Sequence, residues 1–519
     1  MYVLRVEIAN FRGIKTADWI LGGKCLCLVG PNDSTKTTLL DAIEYALSPS
    51  PYLNLSEVDF HDAKTTEPIE IRVTVGGIPP ESPLWRDGKF GFLKRGWKLG
   101  CEMADEPEDE ECEPVLTIQL RVDDSYEPEW TAFADRQPEG ASMFPGDRAR
   151  LGVARLGTDV DRDLAWGRYS VLSKLTGGHE EADVVIAEAQ RLLRKAAKEG
   201  DVVKLNEAAR KVEEAARRLG VRPASGYQPG LDPKLVTFRQ GAFALHDGDI
   251  PLRAAGLGTR RLAALAIQRA AVPDGAIVLI DEVEHGLEPH RIRRLLRNLR
   301  QGLDPSMPDS VDPRLGQVIM TTHSAVPLLE LEHSDIRIVR LGGDKTEIMG
   351  PPKEAQGVLR TVPGAFLARK VLLCEGATEV GLCRRVAEHW KVGHEGVPIE
   401  HFGVEIADGG GSNARDSAIA LAGLKYDVAY LGDSDKAKRS DIEKMGAKDV
   451  KVVLWDDKLC TEERIARDLP DKGFGEVLML ACTARGCDSV GTVIADALHV
   501  AKPDDPSQLE PWTSLLIVS

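Results

Sequence analysis

The segment VGPNDSTKTTLLDAIEYAL, residues 29–47, constrains this chain more than any other. A phosphate-binding loop reads G-x-x-x-x-G-K-[ST] between a buried strand and a helix. Gly30, Lys36 and Thr37 hold matching places, and Thr35 stands where the second glycine is expected. The preceding KCLCLVG, Lys24 to Gly30, suits a buried strand, and Thr37 to Leu47 carries apolar residues at helical spacing. Strand, loop and helix are thus in the required order. The loop from Gly30 through Asn32, Ser34, Thr35 and Thr38, with the helix N-terminus, is expected to present backbone amides to phosphate. Lys36 would meet the terminal phosphates and Thr37 a magnesium ion. At Thr35 a positive φ would strain a β-branched side chain, whereas a negative φ would tolerate it. The negative value is expected here.

The other half of such a site lies far downstream. In GAIVLIDEVEHGLEPH, residues 275–290, an apolar strand from Ala276 to Ile280 ends in Asp281-Glu282. Carboxylates at a buried strand end are costly unless they meet a cation or an attacking water. Asp281 is therefore expected near the magnesium shell and Glu282 beside the water. Upstream, LRAAGLGTRRLAAL carries Gly256 and Gly258 in a turn leading into a helix. Downstream, GQVIMTTHS is a strand ending at His323.

Phosphate loop, glycine-containing turn, strand with Asp-Glu, HGLEP and terminal His, with NFRG at Asn10–Gly13, together resemble the ABC-type ATPases of the SMC and RecF kind. The resemblance implies that two heads sandwich ATP, the Gly256/Gly258 signature of one capping the nucleotide of the other. No clear counterpart of that family's Q-loop glutamine is found.

A second constellation comes after GGDKTEIMGPPKEAQG, residues 342–357, whose Gly, Pro and Lys content reads as a linker. The strand Val371 to Cys374 runs into Glu375, with Glu379 four residues on. The strand Val428 to Leu431 leads to Asp433-Ser434-Asp435. Parallel strands deliver their end residues into one crevice. Carboxylate oxygens there suit Mg²⁺ or Mn²⁺, and a pair of such ions can serve both the attacking and leaving oxygens of a phosphodiester. Alone, Glu375 could equally be a helix-starting cap and Asp-x-Asp an ordinary turn.

This half resembles the Toprim domain, with Glu375 at its glutamate and Asp433 and Asp435 at its D-x-D. With Glu379, and with the order ATPase then Toprim, the whole resembles the OLD (overcoming lysogenization defect) nucleases. Some of them carry a phosphate loop much like GPNDSTKTT. The resemblance implies Glu375, Glu379, Asp433 and Asp435 as catalytic metal ligands. It adds a further ligand after the D-x-D, Glu462 with Glu463 as the rival, and Asp408 nearby. The family's C-terminal basic residue has no match; Lys502 is the only lysine in HVAKPDDPSQLEPWTSLLIVS. What the resemblance implies is an ATP-regulated DNA endonuclease that uses Mg²⁺ or Mn²⁺ and defends against phage or other foreign DNA. It also implies a homodimer or higher oligomer, with a helicase-like or other defence-system protein as a candidate partner. The alternative is a RecF- or SMC-like ATP-switched DNA-binding or repair protein with an inactive Toprim domain. A third reading is an ATPase scaffold for a separate effector.

Length and charge frame these readings. A chain of 519 residues predicts several domains. The expected fold is α/β: an ABC-type P-loop ATPase with an inserted helical hairpin, then a Rossmann-like Toprim domain. The expected parts are 1–176 and 223–357 for the ATPase, 177–222 for the insertion and 358–519 for Toprim. The insertion, rich in Ala, Leu, Glu, Lys and Arg, reads either as a packing hairpin or as a dimerisation element. The net charge of −16 argues against non-specific coating of nucleic acid by the whole surface, though not against a local basic channel. Much of the acid lies in residues 101–114, expected as a solvated loop. Nine scattered cysteines read as buried, reduced thiols of a cytoplasmic protein. No long apolar run predicts a membrane span.

Overall fold

The computed structural model describes residues 1–86, 89–98, 102–105, 112–157, 160–166, 170–177, 180–199, 203–218, 225–229, 243–303, 315–434 and 438–499. It comprises two compact units, Met1–Pro351 and Pro352–Ser519.

The first unit is built on a large sheet. Its elements include β1 (Tyr2–Phe11), β2 (Ile14–Ile20), β3 (Cys25–Val29), α1 (Lys36–Leu47), β4 (Ile69–Gly76), β5 (Glu113–Val122) and β6 (Val153–Leu156). After two helices, α2 (Glu180–Glu199) and α3 (Val203–Arg218), come α4 (Leu257–Ala270), β7 (Ala276–Ile280), α5 (Pro289–Leu303), β8 (Leu315–Thr321), β9 (Ile336–Gly342) and β10 (Lys345–Met349). One wing is parallel, in the order β6-β7-β8-β3-β9. The other is chiefly antiparallel, running β2-β1-β4-β5, and β10 joins the two. The apolar run CLCLV becomes β3 because it is central in the parallel wing, where both faces are covered. Helix α1 buries Leu39, Leu40, Ile43 and Leu47 completely. Each such side chain contributes roughly 1.5–3 kcal/mol relative to exposure, which anchors the phosphate loop between two buried elements.

Two expectations need correction. Residues 342–357 are not a linker throughout: Lys345–Met349 is a strand pairing with both β9 and β2. The glycines supply the turn instead, with Gly343 at φ 61° between the paired strands. The boundary between units falls at Pro351/Pro352, and Gln356–Thr361 is already helical. The acidic stretch 101–114 is also not all loop. Glu102–Ala104 pairs with the strand Arg95–Lys98, and Glu113 opens β5. There its carboxylate accepts hydrogen bonds from the Tyr2 hydroxyl (2.6 Å) and the Gly77 amide (2.7 Å). Cys101 and the centre of that stretch lie outside the described residues.

The second unit holds a four-stranded parallel sheet in the order Val404–Asp408, Lys370–Cys374, Asp427–Gly432, Lys451–Leu454. In chain order these and the helices used below are β11 (Lys370–Cys374), α6 (Ala377–Gly393), β12 (Val404–Asp408), α7 (Ala414–Gly423), β13 (Asp427–Gly432), β14 (Lys451–Leu454) and α8 (Thr461–Asp468). No single helix among the described residues is long and apolar enough to cross a membrane.

Candidate functional site

The phosphate loop lines a cavity of about 730 Å³. Asn32, Ser34, Thr35, Lys36, Thr37 and Thr38 form its floor, with Glu282 and His323 on the wall. Gly30 is required by close approach: a Cβ there would lie 2.5 Å from the Val339 carbonyl oxygen. Lys36 is buried, and its ammonium donates to the carbonyl oxygens of Gly30 (3.0 Å) and Pro31 (2.7 Å) and to Ser34 Oγ (3.1 Å). Burial lowers its pKa to about 8.

Thr35 overturns the expected negative φ. It sits at φ 64°, ψ 17°, in the left-handed region immediately before α1. The loop enters the helix through a left-handed residue, which is the conformation the motif's usual glycine adopts without penalty. Two local features tolerate the threonine. Its hydroxyl donates to the Ser34 carbonyl at 2.6 Å. Its methyl lies where a Cβ on Gly13 would come within 3.0 Å, so Gly13 of NFRG leaves it room.

The strand end closes the other side. Thr37 Oγ1 donates to Asp281 Oδ1 at 3.3 Å, and Thr321 at the end of β8 donates to the same oxygen. Glu282 has φ 45° and its carboxylate lies 3.1 Å from His285 Nδ1. Facing threonine and aspartate oxygens suit a magnesium ion, which Thr37 and Asp281 would hold. Gly256 and Gly258 are not in this cavity. Gly256 precedes α4, and Gly258 packs against Gly286, where a Cβ would meet the Gly286 carbonyl at 2.6 Å.

Sequence reasoning missed Arg155, on β6. Its guanidinium reaches Asp281 at 3.2 Å and Asp41 at 3.3 Å, with the side chain only 7% exposed. Arg12 of NFRG likewise pairs with Asp59 and Asp41. Both pairings are long-range, and no local pattern signals them. In sequence Glu284 is only one letter of HGLEP's neighbourhood. In the fold it accepts hydrogen bonds from the His323 amide and the Thr322 hydroxyl, fixing the turn that carries His323.

In the second unit, Cys374 pairs in register with Leu431 and the Glu375 amide donates to the Leu431 carbonyl, so Glu375 and Asp433 emerge at one sheet end. Glu375 Oε2 accepts from the Tyr430 hydroxyl (2.9 Å) and the Asp433 amide (3.0 Å). Arg415 on α7 lies 3.8 Å from its other oxygen. Asp433 Oδ1 accepts from both the amide (2.8 Å) and hydroxyl (3.0 Å) of Thr461. Glu379 is 4% exposed and takes the Gly376 amide at 2.7 Å, so the capping role belongs to Glu379 and not to Glu375. Glu462 accepts from Thr378, between Glu375 and Glu379, while Glu463 caps its own helix through the Cys460 amide. Of the two rivals, Glu462 faces the cluster. Asp408 ends β12 beside Cys374 and accepts from the Gly410 amide. Asp435 and Lys502 lie outside the described residues. Tyr430, Thr461 and Arg415 carry no signal in the sequence; Tyr430 reads there as one more apolar residue of its strand.

Burial raises the Asp433 pKa. The Thr461 hydrogen bonds oppose that shift, and the nearby Glu379 and Glu375 charges reinforce it. The Glu462 pKa is lowered, chiefly by the Thr378 hydrogen bond. Crowded carboxylates that repel one another are the donor chemistry of a hard divalent cation. Glu375, Glu379, Asp433 and Glu462 are the described residues that would hold it. Yet among the described residues no three His, Cys, Asp or Glu side chains stand together as a ready metal cage. Their oxygens are engaged by Tyr430, Gly376, Thr461 and Thr378 instead.

Two family models match the chain. Residues 188–330 match an AAA domain described as putative AbiEii toxin, Type IV TA system, and residues 366–435 match the TOPRIM domain of overcoming lysogenization defect protein-like chains. No curated protein matches. Similar solved structures include the Smc head domain with an extended coiled coil from Pyrococcus furiosus, bound to the C-terminal domain of ScpA. It is 15% identical, covers 67% of this chain and 96% of that one, and has a TM-score of 0.35. Another is the recombination mediator RecF of the RecFOR pathway, at 13% identity, 67% and 98% coverage, and a TM-score of 0.34. The chain is an α/β protein in which a P-loop ATPase domain precedes a Toprim domain. That Toprim domain is OLD-like, and the pair matches an OLD-family ATPase–Toprim fusion.

Proposed function

We propose that the chain is an ATP-regulated, divalent-metal-dependent DNA endonuclease of the OLD type, active in the cytoplasm against phage or other foreign DNA. The observation that carries this reading is the register of β11 and β13, which brings Glu375 and Asp433 to one sheet end with Glu379 beside them. A divalent metal bound there would supply the activation of water and the charge neutralisation that phosphodiester hydrolysis needs. The chain's own residues orient the donors. Tyr430 and the Asp433 amide fix one oxygen of Glu375, whose other oxygen faces Arg415 at 3.8 Å, and Thr461 fixes one oxygen of Asp433.

In the first unit, Lys36 would leave the carbonyls it now contacts for the terminal phosphates. Thr37 and Asp281 would hold magnesium, Glu282 would orient the attacking water and His323 would contact the nucleotide. Gly256 and Gly258, outside this cavity, would cap the nucleotide of a second head. That arrangement requires a homodimer. Helices α2 and α3 expose Val184, Leu192, Leu205 and Val212, a surface suited to a second copy. ATP would gate DNA access and not drive bond cleavage.

The RecF-like alternative, with an inactive Toprim domain, is favoured by one observation: the carboxylates are engaged by protein donors and, among the described residues, form no ready cage. Nicking of supercoiled plasmid in Mg²⁺ or Mn²⁺, with and without ATP, separates the two.

A further inference from the structure

We propose that Cys374 and Cys383 form a reversible disulfide under oxidising stress, pinning the turn that carries Glu375 and Glu379. Cys374 is the last residue of β11 and fully buried; Cys383 lies on α6 and is partly exposed. Their sulfurs are 3.8 Å apart. A disulfide needs about 2.05 Å, so the sulfurs must close by less than about 2 Å. Between them in sequence lie Glu375, directly after β11, and Glu379, whose carboxylate holds the Gly376 amide at the start of α6. A bond from strand to helix thus staples the segment both carboxylates stand on.

The placement argues against mere packing. Cys27 is also buried and Cys25, two residues away, is partly exposed, but both stand on one strand, so a link between them would tie no strand to a helix. Cys383 instead offers an oxidant a route to a buried partner. In a reducing compartment such a pair stays reduced and reports oxidation when it occurs. The chemistry balances with a hydroperoxide as oxidant. The Cys383 thiolate attacks the peroxide O–O bond, giving the sulfenic acid and hydroxide, which takes up a proton as water. Cys374 sulfur then attacks the sulfenic sulfur, expelling hydroxide that leaves as water with the second thiol proton. Two thiols and one hydrogen peroxide become one disulfide and two waters. A thiol reductant reverses it.

The bond itself is independent of the proposed function; only its effect on cleavage, a loss of nicking in the linked form, rests on that reading. The full chain is treated with hydrogen peroxide and mapped by non-reducing peptide mass spectrometry. The expected product is a Cys374–Cys383 linked peptide, resolved from any link between Cys482 and Cys487, whose thiols also interact. It should disappear with dithiothreitol and be absent in Cys383→Ser. Amide exchange over 376–383 should slow by about tenfold in the linked form. Cys383 advancing to sulfinic acid beside an unlinked Cys374 would overturn the proposal. So would a linked form whose exchange over that turn is unchanged. Reduced protein that fails to nick DNA would count against the proposed function alone and leave the peptide map decisive here.

Discussion

The two sites are made of different material. The phosphate loop is built from backbone: amides at a helix start, a glycine against Val339, and a lysine held by carbonyls of its own loop. Its backbone path is set by the burial of β3 and α1 on either side. The carboxylate site is built from side chains on strand ends. Its oxygens accept hydrogen bonds from Tyr430, Thr461, the Gly376 amide and Thr378. A backbone site takes its shape from the buried elements that flank it, whereas a side-chain site depends on which donors its carboxylates meet.

This contrast can be broken by substitution. The largest effect is expected from Asp433→Ala, which should abolish DNA cleavage while leaving ATP affinity within about twofold; nucleotide titration and plasmid nicking on the same preparation check both halves. Loss of ATP binding in a folded Asp433→Ala protein would join the sites that the account keeps apart. Lys36→Ala comes next. It removes a charged hydrogen-bond donor worth about 1.5–3 kcal/mol, so ATP affinity should fall by roughly 10- to 150-fold. Unchanged affinity would sink the phosphate-loop assignment.

A smaller effect is set by pH. The Lys36 pKa is lowered to about 8 by burial, so the unliganded site carries its charge below that pH and loses it above. ATP affinity should hold steady up to about pH 8 and then fall by at most about tenfold per pH unit, as binding must restore the proton. Isothermal titration from pH 7 to 9.5 reads this directly. Replacing 177–221 with a short Gly/Ser loop should shift sedimentation toward monomer; an unchanged dimer would assign the contact to the heads or Toprim domains. The smallest effect belongs to Thr35→Gly. Relief of a left-handed β-branched residue is worth about 1–2 kcal/mol. Part of it is offset by the freer unbound loop, so a stability gain of about 1 kcal/mol or less and a modest rise in ATP affinity or hydrolysis are expected. A loss of stability would mean that the hydroxyl bond to Ser34 outweighs the strain.

Much of this was legible in sequence because it is local. Strand, loop and helix around Lys36, and strands ending in Glu375 and Asp433, are read from short apolar runs and the polar residues that terminate them. The φ of Thr35 was not legible. Residue preference favours negative φ, but the path from β3 into α1 imposes the left-handed turn, and Gly13, distant in sequence, makes room for it. Arg155 was invisible for the same reason: its partners Asp41 and Asp281 meet it only after β6 docks on β7. The linker reading of 342–357 failed because glycine and proline mark tight turns between paired strands as readily as they mark spacers.

The most direct test is a nicking assay on supercoiled plasmid with the wild-type chain in EDTA, Mg²⁺ or Mn²⁺, each with and without ATP. Relaxed circles are expected in a divalent metal, none in EDTA, and a rate that changes with ATP. Intact plasmid in every metal, from protein that still binds ATP, would contradict the endonuclease reading and leave a nucleotide-switched DNA-binding protein in its place.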